Sequence, residues 1–176
     1  MTDRPSPSGD RSSNTVVALP KESYTPWTTR VLAQVIDMVP VVIAFGIGWG
    51  VLRGTTATEC LTDRSQSEFG EVCVTGTSGL GQLAMAVATL AVFGYLVWNF
   101  GYRQGATGSS LGKSITRFRV VSEKTWQPID FGLSILRQLA HVIDGAICYV
   151  GYLFPLWDTK RQTIADKIMT TVCVPL

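Results

Sequence analysis

Residues 31–52 read "VLAQVIDMVPVVIAFGIGWGVL" and hold a single charge, Asp37, in 22 positions. The hydrocarbon of a bilayer is about 30 Å thick and takes about 20 residues of helix to cross. The stretch therefore reads as a membrane span. A second stretch, Leu80 to Phe100, has 21 residues and no charge. Two such segments in a chain of 176 residues would overfill a soluble core. Composition agrees, because charged residues make up only 16%, against about 25% in ordinary soluble domains.

A third stretch, Phe131 to Trp157, is apolar but interrupted by Arg137, His141 and Asp144. Only 13 residues separate Asp144 from Asp158. At the helical rise they cover about 20 Å, short of a full crossing. Either the whole stretch crosses and hides three polar groups, or it dips in and returns. The expected fold class is an all-α membrane protein: two transmembrane helices, a third interrupted segment that is re-entrant or spanning, and a small cytoplasmic β-hairpin.

Lysine and arginine counts orient such a chain. Residues 1–30 carry four, Arg4, Arg11, Lys21 and Arg30; the loop 53–79 carries two against four acids; the loop 101–128 carries five. The N-terminus and the loop 101–128 are thus expected in the cytoplasm, and the loop 53–79 outside. Residues 1–26 are rich in proline and serine and read as a disordered cytoplasmic tail. They hold no leader of the secretory type, so the first span acts as the insertion signal. The membrane domain covers 27–176, with spans at about 31–52 and 80–100, a hairpin or third span at 129–157 and a tail at 158–176. Lys160, Arg161 and Lys167 put that tail in the cytoplasm, which favours a hairpin over a third crossing.

The stretch "GATGSSLGKS", residues 105–114, ends as a phosphate-binding loop does. Such a loop needs glycine, four residues, then Gly-Lys-Ser/Thr. The position required for the first glycine is Thr107, and the stretch follows a membrane helix instead of a buried strand. It reads as a sharp exit from the bilayer. The following "FRVVSEKTWQPI" places two β-prone runs, Phe118–Val121 and Trp126–Ile129, around a polar turn, a hairpin pattern.

This loop, "GSSLGKSITRFRVVSEKTWQPI", resembles that of the RDD family of small membrane proteins. The family is named for one arginine and two aspartates. "RVLAQVID" matches the first part and gives Arg30 and Asp37; "KRQTIADKIMTTVCV" matches the last and gives Asp166. The resemblance runs from about Trp27 to Val174 and leaves out the tail and the outer loop. The closing "LWDTKRQTIADKIMTTVCV" is also similar to RDD proteins that accompany mammalian-cell-entry (Mce) lipid importers in actinobacteria. The resemblance implies a bacterial cytoplasmic (inner) membrane protein, multi-pass, with its N-terminus in the cytoplasm.

A carboxylate deep in hydrocarbon costs about 3 kcal/mol, so Asp37 needs protein around it. Asp37 lies two turns beyond Arg30 on nearly the same helical face, with small Ala33 between them. Arg137, His141 and Asp144 fall on one face of the third segment. If the faces meet, Arg137 pairs with Asp37 and Asp144 with Arg30, while Asp166 caps or pairs at the cytoplasmic surface. Such a charge network is either helix-registering glue, a relay centred on His141, or a docking face for a partner. Cys60 and Cys73 both lie in the outer loop, where they form a disulfide or remain two thiols. Cys148 and Cys173 read as small hydrophobes. Gly46 and Gly50 have the spacing of close-packed membrane helices, used either for self-association or to seat a helix of the same chain.

The chain offers no nucleophile–base pair, no cofactor loop and no metal-ligand spacing, so no enzyme and no cofactor are expected. A net charge of +2 gives no footprint for nucleic acid. The expected partners are membrane lipids and other membrane subunits, or a second copy. The expected function is that of an accessory subunit of a transport complex, in lipid import. The alternatives are an oligomeric ion or small-solute transporter that uses the Asp/His/Arg relay, and a structural membrane scaffold.

Overall fold

The computed structural model describes residues 19–61 and 72–176. It is mostly helical. Helix α1 spans Trp27–Gly54 and α2 spans Gly79–Leu96. α2 runs on through a π-helical turn at Val97–Arg103 into α3, Gln104–Thr107. Both α1 and the α2–α3 run are long and apolar enough to cross a membrane. Pro40 lies inside α1 without ending it.

α1 and α2 pack antiparallel through small residues. Gly48 rests on α2, where an added Cβ would stand 2.8 Å from Ala88 Cβ, and Gly81 rests on Leu52 and Thr55. Glycine at such crossings lets backbones approach closely. Gly46 and Gly50 have open space where a Cβ would go. They do not seat α2, because Gly48 lies about 200° round the helix from each.

Both long helices, and the later α5, are polar or small inside and apolar outside. α1 buries Ala33, Asp37 and Gly48 and exposes Val35, Val42 and Ile47. α5, Phe131–Ala146, buries Ser134, Arg137 and Asp144 and exposes Leu136, Leu139 and Val142. A water-soluble domain normally has the reverse arrangement.

Between α1 and α2, strands β1 (Ala57–Leu61) and β2 (Val72–Gly76) form an antiparallel hairpin in which Cys60 faces Cys73. Those two cysteines are disulfide-bonded. Of the other two, Cys173 is buried and Cys148 is exposed.

The expected hairpin of Phe118–Val121 with Trp126–Ile129 does not form. β3, Phe118–Ser122, pairs instead with β4, Thr171–Pro175, at the C-terminal end. The turn after β3 exists, with Ser122 N donating to Gln127 O. It leads to no strand for two reasons. Pro128 has no N–H to continue a ladder, and β3's other edge is occupied by the glycine loop, through Val120 N to Gly108 O at 2.7 Å. Gly108 makes that approach at φ 77°, a conformation glycine adopts without strain.

The third apolar stretch folds as α5 followed by α6 (Val150–Leu153) and a 3-10 turn, Phe154–Leu156, bent by 106° from α5. Cys148 and Tyr149 turn the chain with positive φ. Gly151 fits against Asp144, where a Cβ would overlap the carboxylate. The stretch therefore turns back on itself and does not run straight.

The chain's final segment, read as a tail, is folded against the rest. After α4 (Leu111–Ile115), β3 and the bent pair, it forms α7, Ile164–Ile168, and then β4. Val172 and Cys173 are fully buried. At the other end, the expected disordered tail mostly precedes the described residues, but its last part is folded: Tyr24 packs with Val121 and Val172, and Thr25 N donates to Cys173 O at 3.0 Å.

Candidate functional site

Three buried carboxylates organise the end of the molecule away from the β1–β2 hairpin. Each has zero exposure: Asp37, Asp144 and Asp166. Burial of an ion is tolerated only where donors surround it, and each carboxylate has its own set.

Asp37 is not paired with Arg137. Its Oδ1 accepts from Asn99 Nδ2 at 2.8 Å and Gly112 N at 2.7 Å, and its Oδ2 accepts from Ser110 Oγ at 2.5 Å. The α1 carboxylate is thus wrapped by neutral donors from the glycine loop and from the π-helical turn. That loop does cradle an anion through a hydroxyl and a backbone amide, and the anion is a carboxylate of the same chain. The wider turn helps to place Asn99, whose Oδ1 also accepts from Leu111 N at 2.8 Å.

Asp166 gathers the arginines. Arg30 Nη1 donates to Oδ2 at 2.8 Å, and Arg137 donates to Oδ1 through Nε at 2.9 Å and Nη2 at 2.5 Å. Thr163 caps α7 reciprocally with Asp166. Asp144 belongs to a third set: it is 2.7 Å from His141 Nδ1 and accepts from Ala165 N at 3.2 Å, so it is not paired with Arg30. His141 stacks on Tyr152, whose ring centroid is 5.5 Å away. All six sequence-derived residues thus lie at one end of the fold, with two of the expected pairings replaced.

A further buried layer escaped the sequence reading. Lys113 Nζ donates to Gln104 Oε1, Gln104 Nε2 donates to Ser134 Oγ at 2.9 Å, and Ser134 Oγ donates to Phe100 O. Burial pushes the Lys113 ammonium down to about 8, and the neighbouring Arg137 charge adds to that shift. The available signals were the polar residues Asn99 and Gln104, set at the end of an otherwise apolar run.

Beside these groups lies a cavity of about 370 Å³, bounded by α1, α5 and α6 and lined by Arg30, Lys113, Arg137, His141, Trp27 and Tyr152 among others. Trp27 Nε1 closes one wall by donating to Tyr152 O at 2.8 Å. Among the described residues, no three His, Cys, Asp or Glu side chains converge to hold a metal ion.

The sequence profile of the RDD family matches residues 24–170. The chain belongs to the RDD family. It is 58% identical over 158 residues to the proline-rich antigen homolog of Mycobacterium tuberculosis, covering 90% of this chain and 66% of that protein. It is 56% identical over 159 residues to the proline-rich antigen of Mycobacterium leprae, covering 90% of this chain and 64% of that one. It therefore spans slightly less than two thirds of the length of these curated relatives. No solved structure matches it.

The motif residues of this RDD chain, Arg30, Asp37 and Asp166, act as two knots. One is the Arg30–Asp166 pair that ties the C-terminal segment to α1; the other is Asp37, which ties the glycine loop to α1. Replacing Asp37 by asparagine keeps one acceptor oxygen but removes the charge and the second. The expected loss is about 1–3 kcal/mol, read as a lower melting temperature of the detergent-solubilised protein. An unchanged midpoint would contradict the wrapping described above.

Burial raises the Asp166 pKa, but Arg137 and Arg30 more than offset it and hold the carboxyl well below the usual carboxylate range. A depressed folded value means that this stabilisation is complete above the unfolded carboxyl's pKa of about 3.9 and is lost as pH falls below it. Melting temperature should show no loss from this group between pH 8 and pH 5, then drop below about pH 4. The drop should be smaller in Asp166→Asn, which has no carboxyl there to protonate.

Proposed function

We propose that this RDD protein is an integral membrane protein of the cytoplasmic membrane and works without enzymatic chemistry as an accessory subunit of a transport complex, in lipid import of the Mce-associated kind. One observation carries the reading: the outer faces of α1, α2 and α5 are apolar, Asp37, Arg137 and Asp144 are turned inward, and the exposed Arg53 sits at the very end of α1. Groups exposed to hydrocarbon must be apolar, and intramembrane charges face protein. The bent α5–α6 pair sits as a re-entrant hairpin, covered by the C-terminal segment. The N-terminus and the loop 101–128 lie in the cytoplasm, a direction supported by the basic residues of that loop and by a disulfide in the opposite hairpin, where oxidising conditions allow it to persist.

The accessory role rests on the closing segment's similarity to Mce-associated RDD proteins and on the sealed character of the charge cluster. Both oxygens of Asp37 and of Asp166 accept hydrogen bonds, and the two lie in separate sets, which suits an anchor better than a relay. Gentle detergent purification with native mass spectrometry tests this, and co-purified membrane subunits are the expected result. A chain that always emerges alone would overturn the accessory reading. Labelling of Thr170→Cys, in a Cys148→Ser background, should occur from the cytoplasmic side only; labelling from outside would reverse the topology.

A second reading, an oligomeric ion transporter, is favoured by one contact, His141 Nδ1 to Asp144 at 2.7 Å beside the cavity. Proteoliposome ion flux that is abolished by His141→Gln would support it.

A further inference from the structure

The wall of the cavity is unbalanced in charge. Arg30, Lys113 and Arg137 line it, and among the described residues lining it none is a carboxylate. The arginines share one counterion, Asp166, whose two oxygens they already occupy. Among the described residues, Arg30 Nε and Nη2 are buried with no hydrogen-bond partner. The hydrogen-bond partner of Lys113 Nζ is a neutral amide, that of Gln104. Buried donors without acceptors, and buried cations without anions, are costly unless a ligand satisfies them.

The remaining wall has the opposite character. Trp27, Val31 and Val35 line the cavity from α1, and Val31 and Val35 are also exposed on the outer face of that helix. One side of the cavity thus suits an anion, and the other leads onto an apolar surface. We propose that this cavity binds a phosphate-bearing amphiphile, the headgroup of an anionic phospholipid, with Arg30, Lys113 and Arg137 around the phosphate and the acyl chain lying over Val31 and Val35. Guanidiniums match phosphate oxygens in pairs, and a lysine adds a point charge. A volume near 370 Å³ accommodates a headgroup. The inference rests on the membrane reading above and assigns a ligand class to it.

The test uses the full chain, stripped of lipid in detergent, with native mass spectrometry and thermal shift as readouts. The probes are phosphatidylglycerol, diacylglycerol, which lacks the phosphate, and inorganic phosphate. Phosphatidylglycerol should bind at least about tenfold more tightly than diacylglycerol. Lys113→Met should remove about tenfold of that preference, while Lys124→Met, on the exposed turn, should not. Because Lys113 is buried, a second variant keeps the test decisive: Val35→Trp, at an exposed position, should obstruct the acyl path and weaken phosphatidylglycerol binding without lowering the melting temperature. Equal binding of phosphatidylglycerol and diacylglycerol would overturn the proposal. Tight binding of inorganic phosphate with no gain from acyl chains would assign the site to free phosphate and overturn the lipid. Selective lipid binding by a chain that carries no partner subunits would leave this inference standing while the accessory role fell.

Discussion

Asp166→Ala should lower the stability of the folded protein by about 3–5 kcal/mol, the range found when one partner of a buried ion pair is removed. The size follows from what is left behind. Arg137 is almost completely buried and donates twice to Asp166 Oδ1, and Arg30 donates to Oδ2. Without the carboxylate, two largely buried guanidiniums face each other with no counterion between them. The same change unties the C-terminal segment, because Asp166 also completes the cap of α7 with Thr163. Thermal unfolding in detergent and cellular abundance are the measurements. A surface control sets the scale: Glu123→Gln, which breaks the partly exposed pair with Lys160, should stay within about 1 kcal/mol. If Asp166→Ala proved as mild as that control, the arginines would have to be solvated, and the buried knot described here would be wrong.

Gly112→Ala should be comparably severe, for a steric reason. A Cβ at position 112 would overlap the Ala33 carbonyl oxygen and stand 2.8 Å from the Ala33 carbonyl carbon. The obstacle is α1 backbone and cannot rotate away. Overpacking usually costs about 1–3 kcal/mol and sometimes more. Here α4 would have to move off α1, taking with it the Gly112 N–H bond to Asp37 and the Leu111 N–H bond to Asn99. A loss of about 3 kcal/mol or more is expected. Gly46→Ala and Gly50→Ala add a methyl to open space and should leave the melting temperature unchanged or slightly raised, since alanine is the better helix former. Equal effects at 112 and 46 would show that the loop does not rest on α1 as described.

The two long helices were readable from run length alone, because a run of 21 or 22 nearly uncharged residues has few other solutions. The interruption of the third stretch was readable in the same way, from 13 residues that could not reach across. The fold bends that stretch by 106° between its two helical parts. The identity of the charged residues was readable too, since a polar group in an apolar helix stands out by its cost. Their partners were not. Pairing by helical face led from Asp37 to Arg137, the nearest candidate on a neighbouring apolar segment. The actual partner of Arg30 lies 136 positions away, in a segment that read as a cytoplasmic tail whose Asp166 would cap or pair at the surface. Pairing of β3 with β4 brings that tail back, and a local turn pattern pointed instead to Trp126–Ile129.

Local chemistry along the chain therefore established which segments are apolar helices, which residues must be shielded, and that a glycine-rich stretch must bend sharply. Periodicity and length suffice for these, because each is a property of neighbours in sequence. Which donor meets which carboxylate, which glycine touches another backbone, and that three cations border one cavity were settled by the packing of α2, the glycine loop and the final segment around the first helix. Those outcomes depend on distances between residues far apart along the chain, and a charge on a helical face can satisfy any of several opposite charges until packing excludes all but one.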